Sequence, residues 1–62
     1  MHSMRSKIVD AILYAMLMGS PVDWDRWKLY RNEIREAKVL YNGMKEDNVW
    51  RLAFLSRVEV EE

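Results

Sequence analysis

The segment Trp27-Lys28-Leu29-Tyr30-Arg31-Asn32-Glu33-Ile34-Arg35-Glu36-Ala37-Lys38-Val39-Leu40-Tyr41-Asn42-Gly43-Met44 decides the fold class. Within it Trp27, Tyr30, Ile34, Ala37, Tyr41 and Met44 recur at intervals of three, four, three, four and three. An α-helix turns once in about 3.6 residues, so this spacing gathers those side chains into one apolar seam; a half-buried strand would need an apolar residue at every second position. Such a seam belongs to a helix lying lengthwise on another helix. Lys28, Asn32, Arg35 and Lys38 fall away from it, as expected of a solvated face. Leu29 and Leu40 also lie off it, and Trp24 lies beside it, which leaves this helix with more apolar surface than one contact covers.

Toward the amino terminus the spacing and capping residues predict a helix over 21–42. Ser20 fits the N-cap, Pro21 the first helical position, where no amide hydrogen is required, and Asp23 the third position, where a carboxylate answers free backbone donors. Asp25 adds negative charge where the helix dipole favours it. Gly19, just before, suits the left-handed cap that closes a first helix over 5–18. In that helix Ile8, Val9, Ala11, Ile12, Leu13, Ala15, Met16, Leu17 and Met18 leave only Lys7, Asp10 and Tyr14 as a narrow polar strip. So apolar a helix needs cover from two directions, here expected from the second helix and from a symmetry partner, with a three-helix monomer that covers it on both sides as the alternative. The short connection predicts that the two helices turn back as an antiparallel hairpin.

Beyond the seam, Asn42 and Gly43 are expected to end the second helix, and Asp47 or Asn48 to cap a short third one over 47–57 with Val49, Trp50, Ala53 and Phe54. Trp50, Leu52, Phe54, Val58 and Val60 also alternate with a strand-like period of two. A lone strand would have no partner within the chain, so helix to about Arg57 followed by an extended acidic tail is the expectation. The chain is read as one domain, residues 1–62, with 1–4 and 58–62 expected to be mobile.

Composition narrows the chemistry. The 62 residues hold no cysteine, one histidine and two glycines, so disulfides, thiolate nucleophiles and a glycine-rich phosphate loop are absent. His2 lies at the terminus, where a catalytic base could not be held in position, and the carboxylate pairs Asp23/Asp25, Glu33/Glu36 and Glu46/Asp47 read as solvated surface. No enzyme, cofactor or metal is expected. Ten basic and ten acidic residues cancel, which argues against a protein that binds nucleic acid chiefly by charge. Arg5 and Lys7 ahead of an apolar run resemble the start of a signal peptide, but Asp10 interrupts the run, and it is too short to span a membrane.

Trp27, Tyr30, Arg31, Ile34 and Arg35 stand in a nine-residue stretch that resembles the W-x-x-Y-R-x-x-L-R segment of tail-fibre assembly chaperones of tailed bacteriophages, with Ile34 in the leucine position. The whole chain is similar in type to the compact helical accessory proteins that such phage genomes encode. That resemblance implies a cytoplasmic protein that binds a host or phage protein.

The expectation is therefore an all-α chain, an antiparallel helical hairpin plus a short third helix, assembled as a homodimeric helical bundle. Ile12, Leu13, Met16 and Leu29 are the expected dimer interface; Trp24 and Leu40 the expected partner contacts. A helix-turn-helix-like DNA-binding regulator is the alternative, acting through Lys28, Arg31 and Arg35.

Overall fold

The computed structural model describes the backbone of residues 4–61 and the side chains of residues 7–59. It is all-helical, with α1 at Met4–Met18, α2 at Trp24–Trp27, α3 at Arg31–Met44 and α4 at Asn48–Glu61, and it contains no strand among the described residues. His2 and the remainder of 1–3, with Glu62, lie outside them. The radius of gyration, 11.2 Å, is close to the roughly 11 Å of a compact chain of this length. No described helix is long and apolar enough to cross a membrane.

α1 closes as its sequence indicates. Gly19 has φ 72°, its N–H donates to the Met16 carbonyl at 3.2 Å, and the Ser20 N–H donates to Ala15 at 3.0 Å, the paired bonds of a Schellman turn. Ser20 is thereby committed to ending α1 and does not open the next helix. That role passes to Asp23, whose carboxylate accepts from the Arg26 N–H at 3.4 Å. The expected start at Ser20 and Pro21 is thus displaced to Trp24.

The expected continuous helix over 21–42 is also broken. The Tyr30 N–H donates to the Trp27 carbonyl at 2.8 Å in a tight turn, Tyr30 takes non-helical φ −107° and ψ 56°, and α3 begins with the Ile34 N–H donating to Tyr30 at 2.9 Å. Intervals of three and four describe which side is apolar and carry no information on whether the axis is straight. Trp27, at the break, still packs against the core and meets Tyr30 edge to face at 6.1 Å.

At its far end α3 runs through Gly43 instead of stopping there, and ends beyond Met44. Gly43 serves a different purpose: a Cβ on it would lie 2.8 Å from Cζ3 of Trp50, so its bare backbone seats the indole of α4. The turn into α4 is latched by Asp47, which accepts from the Trp50 N–H at 3.0 Å, and by the Arg51 guanidinium, which donates to the Lys45 carbonyl at 2.8 Å and to the Asn48 side chain. α4 is helical through Glu61, so the segment after Arg57 continues the helix where an extended tail was expected. Phe54 is buried and Leu55 and Val58 pack beside it, a helical spacing that lets α4 lean on the core.

The core consists of Ile8, Val9, Ile12 and Leu13 from α1, Ala37 and Met44 from α3, and Phe54 from α4. Ile12 and Leu13 have no exposed surface at all. One copy of the chain therefore covers α1 from both sides, the alternative of cover from within the chain, and Ile12 and Leu13, expected at the dimer interface, are enclosed within that one copy. Across the α1/α4 contact Asp10 pairs with Arg57 at 3.5 Å, and the Arg57 guanidinium also lies 5.4 Å from the Phe54 ring centre. With Arg57 half exposed, the ion pair orients α4 more than it stabilises it.

Two measurements check this packing. Ile12→Ala should cost about 2–5 kcal/mol in urea unfolding. Gly43→Ala sets a helix-propensity gain of about 1 kcal/mol against displacement of a ring that is already partly exposed. Stability should change by less than about 1 kcal/mol, while Trp50 emission shifts to the red in a chain whose other tryptophans are phenylalanine. An unchanged spectrum would mean that the indole does not sit on Gly43.

Candidate binding groove

The break at Lys28–Tyr30 creates a site that a straight helix could not. Trp24 and Lys38 are fourteen positions apart in sequence, which along a continuous α-helix would be about 21 Å. Instead the Lys38 ammonium lies 5.1 Å from the centre of the Trp24 indole. α2 is folded back beside α3, and the space between them is an open groove of about 620 Å³.

Trp24 and Lys28 line it from the α2 side, and Arg31, Ile34, Arg35 and Lys38 from α3. The α3 contributors are spaced three, one and three residues apart, which places them on one helix face. The groove thus has an apolar floor of indole and isoleucine beneath four cations. Among the described residues Lys28, Arg31 and Arg35 take part in no ion pair, and Lys38 engages only the Trp24 ring. Cations held side by side without counter-charges repel one another, so a carboxylate or phosphate entering the groove would relieve that repulsion while forming charge-assisted hydrogen bonds. Asp23, Asp25, Glu33 and Glu36 lie on the same stretch of chain but outside the lining.

The groove unites residues that the sequence assigned to competing roles: Trp24, expected as a partner contact, and Lys28, Arg31 and Arg35, expected for the DNA-binding alternative. Leu29 stands in the adjoining turn, 85% exposed. Leu40, the other expected partner contact, is half-buried against the core and lines a smaller cavity of about 340 Å³ among α1, α3 and α4, together with Asp10, Met44, Trp50, Phe54 and Arg57. Met16 is half-buried beside the core. Sequence reasoning missed Lys38 and Ile34 as members of the site. The Arg31, Arg35, Lys38 spacing of four and three was a readable cationic stripe, but nothing in the sequence brings Trp24 to it.

Comparison with known proteins returns no matching family model, no matching curated protein and no matching solved structure.

The fold-back is directly measurable. With Trp24 as the only tryptophan and a short-range quencher attached at Lys38→Cys, emission should fall severalfold; a continuous helix would hold the two groups about 21 Å apart and leave it nearly unchanged.

Proposed function

We propose that this chain is a small non-enzymatic protein–protein interaction module that works as a homodimer on a host or phage protein in the cytoplasm. The observation that carries the reading is apolar surface left outside a complete core. Val49, Val39 and Leu52 are 80%, 66% and 61% exposed, in addition to Leu29. Singly such residues are ordinary, but Val49 and Leu52 share a face of α4 and the partly exposed Trp50 lies between them in sequence. The chain also exposes 4886 Å², about 15% more than expected of a compact monomer of its mass. In this reading α1 and α3 form the antiparallel hairpin, and the dimer contact uses the outer face of α4 and Leu29 in place of Ile12 and Leu13. The Trp27–Arg35 stretch, through its likeness to phage tail-fibre assembly chaperones, supports a phage accessory role.

A second reading, a DNA-binding regulator, is favoured by Lys28, Arg31 and Arg35 meeting in one groove. Net charge zero weighs against it.

Light scattering at micromolar concentration should give twice the 7.5 kDa chain mass, with a melting temperature that rises with concentration. Val49→Glu with Leu52→Glu should yield a helical monomer. A wild-type monomer with concentration-independent melting would refute the dimer. Duplex DNA binding that weakens steeply with salt and disappears on Arg31→Ala with Arg35→Ala would favour the second reading.

A further inference from the structure

We infer that the cationic groove of one copy docks the acidic stretch Glu59-Val60-Glu61-Glu62 of a second copy. This rests on the homodimer reading and supplies its recognition chemistry. The groove offers four cations, three of them outside any ion pair among the described residues. Three of the ten acidic side chains of the chain fall within residues 59–62, and Glu59 is exposed with no counter-charge among the described residues. A net charge of zero thus conceals two separate patches of opposite sign on one molecule, which is the arrangement that lets a chain recognise its own copy.

Size and range of the field favour this occupant over a phosphate backbone. From Arg31 to Lys38 the groove follows α3 for about 10 Å, which is short for a duplex. Asp23, Asp25, Glu33 and Glu36 lie on the same stretch of chain outside the lining, so beyond a Debye length of about 8–10 Å the field largely cancels, and attraction is confined to groups that enter the groove. A nucleic acid is drawn chiefly by a long-range basic field. The Trp24 and Ile34 side chains add apolar surface to the lining. Because each copy has one groove and one acidic stretch, two reciprocal contacts close a symmetric pair.

The test is a charge swap read by sedimentation and light scattering, with circular dichroism confirming that each variant is folded. Arg31→Glu with Arg35→Glu, and separately Glu59→Arg with Glu61→Arg, should each weaken self-association about a hundredfold. An equimolar mixture of the two should associate again, since each mismatched groove then meets a matching stretch. A wild-type dimer that both variants leave intact would overturn the docking while sparing the dimer; a wild-type monomer would overturn both; variants that weaken without mutual rescue would overturn the docking. Loss of duplex DNA binding in the groove variant with dimerisation unchanged would assign the groove to nucleic acid instead. A labelled peptide of residues 57–62 provides an independent arm: saturable binding to the wild-type groove, lost in Arg31→Glu with Arg35→Glu, is expected, and no binding would count against the proposal.

Discussion

Ile12 and Leu13 are neighbours on α1, about 100° apart around its axis, and both are fully enclosed. With Ile8 and Val9 buried one turn before them, they form a stripe wide enough to call on more than one covering helix. In a chain of 62 residues that requirement determines where the other helices can go. α3 provides the main cover through Ala37 and Met44, and α4 provides the other through Phe54. α4 buries Phe54 and packs Leu55 and Val58 beside it, which leaves Val49 and Leu52 facing outward. The demand for a second cover over α1 is therefore met within one copy, and the surplus apolar surface reappears on the covering helices.

The same economy of length explains the turn at Lys28–Tyr30. A helix continued straight from Trp24 to Met44 would be about 30 Å long, close to the largest dimension of the molecule, 31 Å, and would carry Trp24 far from any packing surface. Folding α2 back keeps Trp27 against the core and gives the Trp24 indole a flank of α3 to lie along. The groove is a by-product of that packing. Three of its four cations, Arg31, Arg35 and Lys38, belong to α3, and only the returning α2 makes that face concave.

Fold class was legible because apolar periodicity is a direct record of which side of a helix is dry. The Gly19 stop was legible for a similar reason: a positive φ leaves a residue-type signature. The turn at 28–30 left none, since Lys28, Leu29 and Tyr30 are acceptable helix residues and the seam keeps its spacing across the break. Gly43 misled in the opposite way. It carries the residue type of a helix stop, yet its value is the absence of a side chain where Trp50 rests, and that depends on a contact between helices. Ser20 and Asp23 were both plausible caps, and the choice turned on Ser20 already closing α1. For the candidate site, the cationic stripe on α3 could be read from sequence, but its meeting with Trp24 could not, because the reversal that joins them is tertiary.

Net charge is a poor guide to a molecule organised in this way. The argument from ten cations and ten anions concerns the field far from the surface, where opposite charges cancel. Inside a groove the relevant quantities are which charges already have partners and which ligand atoms can reach them. Asp10 and Arg57 pair with each other and so are removed from recognition, whereas Lys28, Arg31 and Arg35 form no ion pair among the described residues. A ligand that must be attracted from a distance gains little from such a surface. One presented at short range, tethered to a partner already held by apolar contacts at Leu29, Val49 or Leu52, gains the full benefit of the charge-assisted hydrogen bonds. In the proposed pair the apolar surplus brings two chains together and the cationic groove fixes how they are aligned.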